Sequence, residues 1–428
     1  MNTGELRQRQ QLPRKYKDQH AIDVLQKFYD YFDGNVIVNV AGIDSLTVWY
    51  LCRKYIDANI KGLTVLAAEP RANRNILIKE PNLTVVAPAK TKQQVLKEEG
   101  YPVGSKDIAK AVRTFQDPSP KNYISRRAYL TGIKESGEYS QWMKLAKRWF
   151  EFIDKNSLLD FISELIEYFS DIDPESITGI RKEKVLAELL NTQSFVKTLK
   201  SNGDIKVSEK CCYHTKEYVL NKYCKENGYA PIMGLSADEG GHRETAILQR
   251  GCTIYDGDNA RCLPFAYHTR SDRLALALEL GVPVSSEYGE IVQIGTNQYE
   301  EPVYDTTLAK RTGCEMCGFG LQMEARPHRF DRMQKYEPQS YELWVNQRGW
   351  GEVMNRLKIP YGDYIWDDEL EKKVISLYQQ GFTKERLIQK LYKQRKRAEP
   401  KKKEKYYQSI VESIILNYYL NNMTATGK

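Results

Sequence analysis

The sequence predicts an α/β protein built on a doubly wound parallel sheet, with a helical insertion and a helical C-terminal extension. Three observations lead there. Short runs rich in β-branched residues recur between turn residues, helical periodicity fills the intervals, and a strand runs through a glycine turn into a helix at residues 35–55. Buried parallel strands read as continuous apolar runs because helices cover both faces, and strands alternating with helices imply βαβ units.

Residues 18–33 place Ile22, Leu25, Phe28, Tyr29 and Phe32 at helical spacing and stop at Asp33 and Gly34. Residues 35–40 read as the first strand, 41–45 as its turn, 46–55 as the next helix, and 63–67 and 83–86 as further strands. Residues 140–200 are amphipathic and helical, with Phe150, Phe152, Ile153, Leu158, Leu159, Phe161, Ile162, Leu165 and Ile166. The sheet pattern resumes at 230–235 and 263–267. Thr269 then caps a helix over 269–280, with Asp272 in its first turn. The expected division is an N-terminal helix (1–34), two halves of an α/β domain (35–139 and 204–355) around a helical insertion (140–203), and a basic helical region (356–428).

A chain of 428 residues, 41% hydrophobic, supports a proper core. Its first residues are polar and basic, and no apolar stretch approaches the roughly 18 residues of a membrane span. A cytoplasmic protein is expected, and eight cysteines in such a chain do not suggest a disulfide framework. From Lys384 to Lys405 eleven basic residues face three acids, which accounts for the whole net charge of +8. Such a stripe is the footprint of a polyanion, so DNA or RNA is the expected partner; a solvated helical face is the alternative. Val374, Leu377, Gly381, Thr383, Leu387, Ile388 and Leu391 fit a helix-turn-helix, or a helical hairpin that closes the domain.

Two features carry chemistry. The pairs Cys211, Cys212 and Cys314, Cys317 offer four thiolates, a donor set that suits a 4Fe-4S cluster or zinc equally on softness. Cys52 and Cys224 lie in apolar helical runs and read as core, while Cys252 and Cys262 flank a turn and rank second as ligands. Gly42, Asp44 and Ser45 stand at the strand-to-helix turn, where unsatisfied amides and the helix dipole favour an anion. An ordinary β-α turn is the plain alternative.

In this order and spacing the motifs resemble the phosphoadenosine phosphosulfate reductase family of the PP-loop ATP pyrophosphatase superfamily. The likeness runs through Gly42-Ile43-Asp44-Ser45, residues 100–106, Lys210-Cys211-Cys212-Tyr213, residues 234–239 with Arg243, Leu263-Pro264-Phe265, residues 269–272, Pro283, Tyr288-Gly289 and residues 312–320. Arg329-Phe330-Asp331-Arg332-Met333 is similar to the iron-sulfur branch carried by phages and mobile elements. The resemblance spans roughly residues 35–355, interrupted by the helical insertion. It implies a fold of the adenine-nucleotide α-hydrolase type in which Gly42, Asp44 and Ser45 hold the phosphates of ATP or a related adenine nucleotide with magnesium. It further implies that Lys106, Glu239 and Arg243 face the nucleotide, with Asp44, Ser45 and Arg243 as the catalytic candidates. Cys211, Cys212, Cys314 and Cys317 would bind a 4Fe-4S cluster, with zinc as the alternative.

The departures bear on activity. Val40 and Ala41 replace a serine and a glycine of the family loop, and no cysteine follows Cys317, so the nucleophile of the sulfonucleotide reductases is missing. Ala68-Glu69-Pro70 also stands where the reductases carry a different turn. The leading expectation is an ATP-dependent sulfur-transfer enzyme acting on nucleic acid, similar to those of DNA phosphorothioation and tRNA thiolation, with a protein partner encoded nearby. The alternatives are a nucleic-acid-binding or regulatory protein on a worn PP-loop fold, and a sulfonucleotide reductase.

Overall fold

A computed structural model describes residues 1–116, 158–171, 182–199, 205–307, 313–324, 326, 328–364 and 368–395, with scattered positions between 404 and 418. Phe150, Phe152 and Ile153 of the expected insertion lie outside the described residues, as do Lys396, Arg397, Lys401, Lys402, Lys403 and Lys405 of the basic stripe. The chain forms two compact units. The first comprises Met1–Ala89, Thr215–Glu315 and Trp366–Lys428; the second comprises Lys90–His214 and Met316–Ile365.

The strands among the described residues are β1 (Val36–Asn39), β2 (Lys61–Thr64), β3 (Leu83–Val85), β4 (Val103–Gly104), β5 (Ala230–Met233), β6 (Thr253–Ile254), β7 (Arg261–Cys262), β8 (Ile291–Thr296), β9 (Pro302–Thr306) and β10 (Gly318–Phe319). In the first unit six of them form a sheet of order β3-β2-β1-β5-β7-β6. Every neighbouring pair is parallel except β6 with β7. The protein is thus mixed α/β around a mostly parallel sheet. Because side chains alternate along a strand, Val36 and Val38 of β1 face one way and Ile37 the other. The first pair packs with Leu25, Phe28, Leu46, Trp49, Leu274 and Ala277; Ile37 packs with Leu63 and Cys224. Helices therefore cover both faces, which explains why β1 reads as an unbroken apolar run.

Most of the strands run a residue or two shorter than read and the hairpin β8–β9 was not foreseen; two larger differences have a local reason. The second strand runs from Lys61 to Thr64 rather than over 63–67: it begins early where Gly62 lets Trp49 lie against the sheet, a Cβ there meeting the Trp49 ring at 3.0 Å, and it ends early because Leu66–Ala68 turn in a short 3-10 helix. Residues 263–267 are a turn rather than a strand. Leu263 donates its amide to the Cys252 carbonyl at 2.7 Å, and Pro264 has no amide to continue a ladder, so pairing ends at Cys262. The helix Arg270–Glu279 forms as read, with Thr269 and Asp272 in a reciprocal capping box.

The C-terminal helices Asp368–Gln379 and Lys384–Arg395 are joined through Gly381, whose φ of +86° suits a residue without a side chain. Gly381 and Phe382 donate to the carbonyls of Tyr378 and Leu377, closing the first helix in a Schellman turn. In the second unit Trp350, Phe330, Val103, Val112 and Val196 share one core. Its two-stranded pairing sets β4 parallel to β10, and Tyr101 bridges Val207 in parallel. No helix among the described residues is long and apolar enough to cross a membrane.

Candidate nucleotide and cysteine sites

In the first unit the strand order reverses between β1 and β5, and ligands of open α/β sheets lie beyond the carboxyl ends of strands at such a point. There the chain leaves β1 and enters the helix Ile43–Tyr55, with Gly42 as the N-cap. The first amides of a helix have no intrahelical acceptor, so this end presents donors and a partial positive charge. Gly234, just past β5, presses on the same place. A Cβ on it would lie 2.7 Å from the Ser45 amide nitrogen and 2.8 Å from the Asp44 carbonyl, so only glycine fits.

The loop is largely closed on itself. Ala41 donates its amide to Ser45 Oγ at 2.8 Å, and Ser45 Oγ donates to the Gly42 carbonyl at 2.9 Å. Val40 is buried and donates its amide to the Leu63 carbonyl at 2.8 Å, continuing the strand direction. Asp44, in the first helical turn, accepts from Arg273 Nε at 2.8 Å. Arg273 is only 3% exposed, and its Nη1 also donates to the His268 carbonyl at 3.1 Å. A shallow depression beside the loop is lined by Ala41, Ile43, Asn73, Pro283, Ser285 and Tyr288. Asn39 Oδ1 and Thr64 Oγ1, at the ends of β1 and β2, are buried without a hydrogen-bond partner.

Glu239 and Arg243, taken from the sequence as nucleotide contacts, pair with each other across one helical turn, with Arg243 42% exposed and Glu239 10%. The turn that carries Glu239 is tied to the next loop: Ser236 Oγ donates to the His268 carbonyl at 2.6 Å, and Arg270 donates its amide to Asp238 Oδ2 at 2.8 Å. Lys106 belongs to the second unit, where it is exposed at the start of the helix Lys106–Gln116. Arg273 was not singled out by the sequence reading. A signal existed, since an arginine three residues before Leu276 and four before Ala277 stands on that helix's apolar face.

The four cysteines are divided. Cys211, Cys212 and Cys317 belong to the second unit, and Cys314 belongs to the first. Within the second unit one short segment anchors the three. Val207, bridged to Tyr101, precedes the turn into Lys210–Cys212, and Ser208 donates its amide to the Tyr101 carbonyl at 3.1 Å. Two residues along, Val103 pairs with Gly318, the neighbour of Cys317. Gly318 is crowded by Trp350 and by the Pro102 carbonyl, which would stand 2.2 Å and 2.9 Å from a Cβ. Met316 is buried at φ +60°, and Trp350 Nε1 donates to its sulfur at 3.3 Å.

Each cysteine of the Cys-x-x-Cys loop has a cation beside it in its own unit. Burial opposes the charge of Lys216, yet Cys314 and Glu69 overcome it and hold the ammonium well above the usual lysine range. Burial likewise opposes Arg329, but Glu324 and Cys317 raise it, and Arg329 Nη1 donates to the Cys317 carbonyl at 2.5 Å. No disulfide joins any two of the eight cysteines. Cys52, Cys224 and Cys262 are buried thiols pushed upward by desolvation, in keeping with core roles. Among the described residues no group of three or more His, Cys, Asp or Glu side chains is gathered to hold a metal ion.

Comparison with protein-family models, with curated proteins and with solved structures returned no match.

Proposed function

We propose that the first unit binds ATP or a related adenine nucleotide at the ends of β1 and β5, as a PP-loop protein of the phosphoadenosine phosphosulfate reductase type would, and that the chain uses it to act on DNA or RNA. The observation that carries this reading is the glycine-capped helix start at the strand-order reversal, pressed upon by Gly234. Pre-formed amides at a switch point suit a pyrophosphate. Cys211, Cys212, Cys314 and Cys317 would hold a 4Fe-4S cluster, or zinc. The support is the thiolate donor set itself, with Lys216 beside Cys314 and Arg329 beside Cys317, although each cation is also paired with a carboxylate, Glu69 or Glu324. Such a cluster would supply redox or sulfur-transfer capacity.

A second reading has its own observation. Ser45 Oγ and the Ala41 amide satisfy each other, and Val40, just past the strand, is buried with its amide bonded to the Leu63 carbonyl, so the loop keeps fewer donors for phosphate than a serine-glycine loop has. A regulatory protein that binds nucleotide without cleaving it would need no more. The deciding experiment is calorimetric titration of anaerobically purified protein with magnesium ATP, with iron and zinc measured on the same sample and pyrophosphate release followed with and without DNA or RNA. Saturable binding, weakened at least tenfold by Gly42→Val or Gly234→Ala, is expected. Binding without pyrophosphate release favours the regulatory reading, and no binding by the unaltered protein overturns both.

A further inference from the structure

The helix Arg270–Glu279 buries a charge that the nucleotide reading does not use. Arg273 is 3% exposed and reaches from that helix to Asp44 in the first turn of Ile43–Tyr55, and to the His268 carbonyl in the loop before its own helix. The helix start it serves carries an acid where an anion is to bind. A carboxylate there stabilises the helix dipole, but it would repel a phosphate at the same amides. Arg273 supplies the compensating charge. It comes from a segment some 230 residues further along the chain, and the His268 carbonyl, which also accepts from Ser236 Oγ, fixes its direction.

We infer that Arg273 is a positioning residue for phosphate: by pairing with Asp44 it cancels the loop's own negative charge and makes the Gly42 helix start receptive to a polyphosphate. The inference rests on the nucleotide reading above and deepens it. It assigns to a buried arginine the cationic charge that the loop, whose one charged side chain is Asp44, does not supply itself. The guanidinium acts through Asp44 and through the loop's position. Its signature is therefore selectivity for the phosphate part of the ligand rather than for the base or sugar.

The test compares magnesium ATP, inorganic pyrophosphate and adenosine as titrants of the full chain. Four forms are used: unaltered protein, Arg273→Lys, Arg273→Met, and Arg273→Met combined with Asp44→Asn. The expected result is that Arg273→Met lowers ATP and pyrophosphate affinity at least tenfold while adenosine affinity changes less than twofold. Arg273→Lys should recover part of the loss. The double variant should recover most of it, because the uncompensated carboxylate has been removed. A merely structural arginine would weaken all three titrants together and would not be rescued by Asp44→Asn; that pattern, or equal ATP affinity in unaltered protein and Arg273→Met, overturns the inference while leaving the nucleotide reading intact. Absence of ATP binding by the unaltered protein overturns the reading and the inference with it. Circular dichroism melting of each variant separates loss of fold from loss of affinity, and Arg273→Lys keeps the test decisive should Arg273→Met not fold.

Discussion

The strand-end site and the C-terminal helix both rely on cations, and they place them in opposite surroundings. Around the helix Arg270–Glu279 the cations Lys17 and Arg273 are buried and matched: Lys17 Nζ lies 2.5 Å from Asp272 Oδ2 with both side chains under 10% exposed, and the buried Arg273 holds the partly exposed Asp44. On Lys384–Arg395 the matching is partial. Lys384 pairs with Glu412 at 3.5 Å and Lys390 lies over the Phe382 ring at 4.8 Å, whereas Arg386 and Lys393 are exposed with no carboxylate partner among the described residues. A buried pair sets geometry and is costly to break; an exposed cation contributes little to stability and remains available to a polyanion. Equal charges thus serve structure in one region and encounter in the other.

The sharpest way to break this contrast is to remove a buried cation. Lys17→Met leaves Asp272 charged and unmatched while it still caps its helix, and a loss of about 3–5 kcal/mol is expected. Urea unfolding would measure it. A loss under about 1 kcal/mol would mean that the pair is as weakly coupled as a surface one.

Acid should sharpen the contrast next. Burial lowers the pKa of His20, His268 and His328, so each is more readily protonated in the unfolded chain than in the fold. Their stabilising effect is fully present above the unfolded value near 6.5 and is lost as pH falls from there through the folded values. His268 shows the cause. Its Nε2 lies 2.9 Å from Asp18 Oδ1 and must donate to that carboxylate, so a second proton would go to Nδ1, which is buried without a partner. The melting temperature should therefore drop between pH 7 and pH 5.5, and less steeply in His268→Gln. An unchanged slope in that variant would assign the acid sensitivity to the other two histidines.

The smallest stability effect belongs to the exposed pair. Arg386→Gln and Lys393→Gln should each alter stability by no more than about 0.5 kcal/mol. If the stripe holds duplex DNA, each should also reduce the log-log salt slope of binding by about 0.9, the value of one phosphate contact. Fluorescence anisotropy between low and moderate salt would read both the affinity and the slope. Identical slopes in the variants and the unaltered chain would make these residues a solvated face only.

How much of this was legible in the sequence follows from the range of each interaction. The capping box at Thr269 and the Gly381 turn were legible because their partners lie within five residues, and β1 was legible because both its faces are covered. The start of β2 was not, since it depends on Trp49 packing against Gly62. The end of the sheet at Cys262 was not either, because it depends on Cys252 accepting the Leu263 amide. At the candidate site the loop residues Gly42, Asp44 and Ser45 stood out, but Arg273 did not: its partner is 229 positions away, and no local pattern records such a pairing. Two of the helix cations counted in the basic stripe turn out to be engaged within the fold, which charge counting cannot foresee.

The segment around Tyr101 and Val103 also sets an order of assembly. It bridges Val207, some 106 positions later, and Gly318, some 215 positions after Val103, so the two attachments close loops of very different length. Closure of such distant contacts is slow, and a nascent chain grows from its N-terminus. Cys211 and Cys212 are therefore synthesised, and their anchoring segment can pair with Tyr101, well before Cys317 can be delivered to the same segment. On a ribosome the thiol pair waits through the making of the whole second half of the sheet, and a chain stalled before Gly318 would hold two cysteines on a half-built ledge.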